Sequence, residues 1–374
     1  MKKIQLQLNK LKIIISGGGT GGHIFPAIAI ANAIKALVSD AEILFVGAEG
    51  RMEMEKVPAA GYKIIGLWIS GFQRKISLSN FLFFFKLISS IMKAKKIVKE
   101  FKPDVVIGTG GYASGPMLRV ASKAGIPTLI QEQNSYPGIT NKLLAKRVTK
   151  ICVAYAGMEK FFPKEKIILT GNPVRQDILD LQGKKEKGLD FFGLEINKKI
   201  VLIIGGSLGA RTINESIGAA LEKYAQNNIQ LIWQTGKGYY ETAKKQSKLY
   251  ESKGIKAYDF ISKMDYAYAV ADVVVSRAGA SSVSELCLVK KPAVLIPSPN
   301  VAEDHQTKNA MALINHEAAI LVTDVKAREK LAEVVIELMN DNNKQEKLKE
   351  NIGELGFIDS AKVIANEVLS LINK

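Results

Sequence analysis

The residues best placed to do chemistry gather in SGGGTGGHIFPAIAIANAI, residues 16–34. The apolar run IIIS leads in and a helix-like segment leads out, so the glycines fall where a strand turns into a helix. Gly17, Gly19 and Gly22 satisfy the G-x-G-x-x-G spacing of a dinucleotide loop, and Glu49 is a loose match for the ribose-binding acid. No P-loop lysine follows. Amides at a helix N-terminus attract negative charge, and glycine permits close approach of a ligand. His23 falls in the first helical turn, where the dipole favours a neutral imidazole able to accept a proton. A histidine that merely bonds to backbone is the other reading of that position.

Three further glycine-rich loops follow apolar runs: GTGGYASGP (108–116), GGSLGAR (205–211) and SRAGASSVSEL (276–286). Ser207 is placed to donate to a phosphate. Gly279 with Ser281, Ser282 and Ser284 suits a diphosphate at a helix start, and Glu285 could accept from ribose hydroxyls. Any one of these is as well explained by a tight strand–helix turn. Four of them at carboxyl ends of strands imply a phosphate-bearing ligand between two domains. VAEDHQTKNA (301–310) offers His305, Gln306 and Asn309, whose donors and acceptors suit sugar hydroxyls. QEQNSYPG (131–138) similarly sets Glu132 and Asn134 after a strand, and Arg175 in GNPVR is a candidate cation for a leaving diphosphate. With three histidines, no Asp-x-Asp at a strand end and no His/Cys cluster, neither a metal nor a cofactor is expected.

These loops need a scaffold of parallel strands. Val/Ile/Leu-rich runs recur at LKIIIS, EILFVG, DVVIGTG, IPTLIQ and KICVAY, then at KIVLIIGG, IQLIWQTG, IKAYDF, DVVVSRAG, PAVLIP and AAILV. Continuous apolar strands separated by helices indicate parallel sheets covered on both faces. The expected fold is α/β: two doubly wound Rossmann-like domains facing a central cleft, where such folds bind ligands. The expected division is residues 1–172 and 173–357, with the last helix, about 358–374, able to pack back on the first domain.

The chain of 374 residues carries 52 Lys and Arg against 36 Asp and Glu, a formal +16. That excess suits an anionic partner, or serves only for solubility. Cys152 and Cys287, in apolar contexts, read as buried reduced thiols of a cytosolic protein. The N-terminus is too polar for a signal peptide, and no apolar run reaches the length of a membrane span. In FLFFFKLISSIMKAKKIVK (81–99), Phe81, Phe84, Phe85, Ile88 and Ile91 form the expected core stripe of a helix. Leu82 and Phe83 then face outward beside Lys86 and Lys93. That surface suits shallow insertion at an anionic membrane, or a helix more buried than usual. Clustered rather than interleaved aromatics argue against nucleic acid.

GGGTGGHIFPAIAIA, GTGGYASGP, EQNSYPGITNKLLAK, GNPVR, GGSLGAR, RAGASSVSEL and DHQTKNA together, in this order, resemble the undecaprenyl-diphospho-muramoylpentapeptide β-N-acetylglucosaminyltransferases of peptidoglycan synthesis. The resemblance runs from about residue 12 to beyond residue 320. It implies the glycosyltransferase B fold and transfer of N-acetylglucosamine from UDP-N-acetylglucosamine to the muramoyl C4 hydroxyl of lipid I, giving lipid II. It also implies a peripheral location on the cytoplasmic face of the inner membrane. By the resemblance, Ile261 contacts uracil through its backbone and Glu285 the ribose, while Ala280, Ser281, Ser282 and Ser207 hold the diphosphate. Arg175, Asn134, Gln306 and the Thr20-Gly21-Gly22 turn complete the site.

The resemblance implies inversion, which needs a base, and His23 is the first candidate with Glu132 in reserve. The family commonly has histidine where this chain has Gln131, which strengthens the case for His23. A different lipid glycosyltransferase, a nucleotide-sugar epimerase, a nicotinamide oxidoreductase and a non-catalytic nucleotide-binding module are the rival readings.

Overall fold

A computed structural model describes residues 10–71, 78–174, 178–206 and 208–372. Seven parallel strands form the first sheet: β1 (Lys12–Gly17), β2 (Glu42–Ala48), β3 (Lys63–Leu67), β4 (Val105–Gly110), β5 (Thr128–Glu132), β6 (Lys150–Val153) and β7 (Ile167–Leu169). Their order is β3-β2-β1-β4-β5-β6-β7. A second sheet holds β8 (Lys199–Ile204), β9 (Ile229–Gln234), β10 (Ile255–Tyr258), β11 (Val273–Ser276), β12 (Ala293–Leu295) and β13 (Ile320–Leu321), ordered β10-β9-β8-β11-β12-β13. Both orders reverse beside the first strand, at β1/β4 and at β8/β11. Loops leaving those strand ends are the ligand positions of this architecture.

The central strands are buried on both faces because no polar residue alternates with their Ile, Val and Leu. The sequence pattern passed over β3 and β7. Both lie at sheet edges, are short, and are only partly buried, so their apolar signal is weak.

The chain divides into two compact units, Met1–Val174 with Asp359–Lys374, and Arg175–Ile358. In the first unit, one face of the sheet is covered by the helices Gly21–Leu37 and Ser360–Ser370. Ile364, Ala365, Val368 and Leu371 of the latter join the core of Ile13, Ile15, Ile30 and Ile107. Lys150 adds an ion pair to Glu367 and a 2.7 Å hydrogen bond to the Ser370 hydroxyl. The second unit has its own core around Trp233, Tyr224, Ile203 and Val275.

Candidate active site

The loops after β1 and β4 interlock. β1 pairs with β4 up to Gly17 and Gly110, with a register shift between Ser16 and Gly17. A Cβ on Gly111, at φ +84°, would stand 2.2 Å from the Gly18 carbonyl oxygen, so the two backbones touch where a side chain would part them. A Cβ on Gly110, at φ +97°, would meet Nδ1 and Cε1 of His23 at 2.8 Å. The glycines therefore let two loops pack and leave room for an imidazole. Of the three glycines in the dinucleotide spacing, Gly17 is the one that packing requires, since a Cβ there would stand 2.0 Å from the Thr109 hydroxyl oxygen.

His23 is the third residue of the helix Gly21–Leu37, whose N-cap Thr20 has extended backbone and makes no side-chain cap bond. The His23 amide donates to the Thr20 carbonyl at 3.1 Å. Its Nδ1 lies 2.9 Å from Oε1 of Gln133, and the Thr109 hydroxyl donates to its carbonyl at 3.0 Å. Behind the glycine loop, Glu53 is fully buried. It accepts from the Gly19 amide with Oε2 and the Ala48 amide with Oε1, each at 2.9 Å.

Glu132 ends β5 and is 1% exposed. Oε1 accepts from the Asn134 amide at 3.0 Å and the Asn134 side chain at 3.3 Å. Oε2 accepts from the Gly138 amide at 3.1 Å and from Asn141 Nδ2 at 2.8 Å. Four donors occupy the carboxylate's acceptor positions. These bonds tie Glu132, the reserve base expected from sequence, to the 134–138 loop.

In the second unit, the helix Ala280–Val289 starts at the end of β11 with Gly279 as N-cap. Its first turn brings together Ala280, Ser281 and Ser282. One turn further on, Glu285 Oε2 accepts from the Tyr268 hydroxyl at 3.0 Å. The Ile261 amide donates to Gln234 Oε1 at 3.0 Å. Gln234 Nε2 reaches the Gly206 carbonyl at 3.3 Å, tying the 205–211 loop to residue 261. Gln306 Oε1 accepts from the Ser298 amide at 2.9 Å, and the buried Asn309 donates to the Ala278 carbonyl at 3.3 Å. Glu303 and Asp304, just before the helix His305–Ile314, both have left-handed backbone, φ +55° and +53°. Ser207 and Arg175 lie outside the described residues.

Residues 13–153 match the glycosyltransferase family 28 N-terminal domain, and residues 200–367 its C-terminal domain. A UDP-N-acetylglucosamine–N-acetylmuramyl-(pentapeptide) pyrophosphoryl-undecaprenol N-acetylglucosamine transferase of Parabacteroides distasonis is 56% identical over 98% of this chain and 100% of its own. One of the same name from Flavobacterium psychrophilum is 55% identical over 98% of this chain and 99% of its own. This chain belongs to that transferase family. The crystal structure of Acinetobacter baumannii MurG matches at 26% identity and TM-score 0.79, covering 96% of this chain and 99% of that one. Family membership, the paired Rossmann-like units and that match give the glycosyltransferase B architecture. A UDP-GlcNAc 2-epimerase from Neisseria meningitidis shares the fold at 16% identity and TM-score 0.66.

Within this family frame, sequence reasoning overlooked Gln133, Asn172, Glu53 and Gln234. Each is a polar residue buried beside a singled-out loop, a signal visible only once the strands are assembled. The helix Leu78–Phe101 also corrects an expectation. Leu87, Ile91, Ala94, Ile97 and Val98 pack on the core, whereas Phe84, Phe85 and Ile88 are 60%, 53% and 58% exposed. Leu82 and Met92 share that exposure, and Phe83 is half-buried. The small residues Ser90 and Ala94 let the helix sit close, with the Ser90 hydroxyl on the Trp68 carbonyl at 3.0 Å, and they set its rotation. Of the expected core stripe Ile91 packs on the core and Phe84, Phe85 and Ile88 face outward, while of the two residues expected outward Leu82 is exposed and Phe83 is half-buried. Phe81 lies outside the described side chains.

Proposed function

We infer that this protein transfers N-acetylglucosamine from UDP-N-acetylglucosamine to the C4 hydroxyl of the muramoyl sugar of lipid I, giving lipid II and UDP. The observation that carries the reading is near-full-length identity, 56% over 98% of the chain, to transferases named for that reaction. In the transfer, the acceptor oxygen bonds to the sugar's anomeric carbon as the bond to the diphosphate breaks. UDP departs with the electron pair and the hydroxyl proton passes to a base. Inversion follows from attack opposite the leaving group.

His23 is the base in this reading, set at the β1/β4 switch point with the Thr20-Gly21-Gly22 turn beside it. Glu132 holds the loop that carries Asn134. The start of the helix Ala280–Val289, with Ser281, Ser282 and the 205–211 loop containing Ser207, receives the diphosphate. Glu285 takes the ribose and the Ile261 backbone the uracil, while Gln306 and Arg175 complete the donor site. The first unit takes the lipid-linked acceptor and the second the nucleotide sugar.

Leu82, Phe84, Ile88 and Met92, with Lys95, Lys96 and Lys99 exposed further along the helix, support peripheral docking on an anionic membrane. Docking on the cytoplasmic face of the inner membrane would give direct access to a lipid-linked acceptor. Among the described residues no helix is long and apolar enough to cross a membrane. Nucleic acid is not among the proposed partners.

The test is UDP release from UDP-N-acetylglucosamine with and without a short-chain lipid I analogue. Release that requires the analogue supports the transferase. Conversion of the nucleotide sugar without any acceptor would replace this reading with the epimerase.

A further inference from the structure

We propose that Gln133 fixes the tautomer of His23, holding the hydrogen on Nδ1 and leaving the lone pair on Nε2 for the acceptor hydroxyl. The inference rests on His23 being the base and adds which nitrogen acts and what orients it.

The direction of every bond in the network is set by a backbone carbonyl. Asn172 Nδ2 donates to the Gln133 carbonyl at 2.9 Å, so its Oδ1 must be the atom that accepts from Gln131 Nε2, also at 2.9 Å. Gln131 Oε1 is thereby turned to Gln133. The Gln133 Nε2 meets three oxygens: the Thr109 carbonyl at 2.8 Å, the Gln131 carbonyl at 3.1 Å, and Gln131 Oε1. Reversing the Gln133 amide would set its oxygen against all three, where only acceptors face it. Gln133 Oε1 therefore points at His23 Nδ1, 2.9 Å away, and an acceptor there requires hydrogen on that nitrogen.

Burial makes the arrangement rigid. Gln131, Gln133 and Asn172 are at most 3% exposed, so water cannot substitute for a lost partner. Thr109 closes the circuit, since its carbonyl takes the Gln133 amide while its hydroxyl holds the His23 carbonyl. Gly110 leaves the ring the space it occupies. Gln133 touches neither substrate in this reading; it is a positioning residue, and its neutral amide orients the imidazole without adding charge. Gln131, where the family commonly has histidine, serves as a link in the same chain of amides.

The test is a long-range 1H–15N correlation spectrum of the full chain labelled with 15N-histidine. With only three histidines the His23 signals are identified by their loss in His23→Gln. His316, whose Nδ1 lies 2.9 Å from the Ala312 carbonyl, supplies an internal example of the Nδ1–H form. At a pH where His23 is neutral, the proposal expects a protonated Nδ1 and an unprotonated Nε2. In Gln133→Met the preference should be lost. The kcat should fall by about 10²-fold or more, the scale of a base in the wrong tautomer, with little change in KM for the nucleotide sugar. Nε2–H as the main form in the unaltered protein would overturn the proposal even if Gln133→Met failed to fold. The spectrum needs no turnover: normal kcat in His23→Gln would sink the base assignment, whereas an Nε2–H spectrum alone would sink the tautomer.

Discussion

Glu132→Gln separates a loop anchor from a base. A base replaced by its amide leaves the fold intact and removes turnover. Here each carboxylate oxygen accepts from two donors, one pair from Asn134 and the other from Gly138 and Asn141. A glutamine offers one oxygen and one NH2, so either rotamer loses one pair and turns donors on donors. Hydrogen bonds to a charged group contribute about 1.5–3 kcal/mol each, so losing two removes about 3 kcal/mol at the lower bound. For a domain of this size each kcal/mol lowers Tm by roughly 2–4 °C, giving a drop of about 6–12 °C. Differential scanning calorimetry reads the transition and UDP release reads kcat on the same sample. An unchanged Tm with turnover abolished would refute the anchor and restore Glu132 as the base.

His23→Ala should lower kcat by roughly 10²–10⁴-fold, measured by UDP release with a water-soluble acceptor; near-normal kcat removes it as base. Replacing Phe84, Ile88 and Met92 by Ser should weaken sedimentation with anionic vesicles by about 10-fold or more per residue while sparing turnover of that acceptor, because each buried side chain contributes roughly 1.5–3 kcal/mol; unchanged sedimentation places the contact elsewhere. Burial lowers the Lys291 ammonium to about 8, against the opposing pull of Asp272. Below that value the lysine is charged in both states, and between it and the unfolded value, about 10.5, only the unfolded chain keeps the proton, so this group makes stability rise with pH across that window. Denaturant unfolding should show the rise in the native chain and its loss in Lys291→Met. Burial also pushes the Cys152 and Cys287 thiols up to about 12; dithionitrobenzoate should label neither until the chain unfolds, and prompt labelling would contradict their burial.

What the sequence disclosed follows from the range of each signal. Runs such as KIIISG and VVIGTG announce central parallel strands because their apolar pattern is local and continuous. The four glycine loops were equally legible, since strand–helix turns have a local composition. Edge strands KIIGL and IIL are half-buried and short, so their pattern resembles that of any loop. The roles of Gln133 and Asn172 were hidden for a different reason. Apart from Gln131, beside Gln133 in sequence, their partners lie 24 to 110 positions away and become neighbours only when β4 and β5 pair and the chain after β7 returns to the site. The outward face of Leu78–Phe101 depended on Ser90 and Ala94, small residues that carry little weight in a hydrophobic stripe yet decide which side can approach the sheet.

The central claim is transfer to lipid I with inversion. The most direct measurement is the structure of the product formed from UDP-N-acetylglucosamine and a short-chain lipid I analogue, by mass and by the proton coupling at the new anomeric carbon. Inverting transfer to lipid I predicts one added N-acetylhexosamine in β linkage to the muramoyl C4 oxygen, with one UDP released per disaccharide. An α linkage, or no disaccharide while UDP still binds, would contradict it.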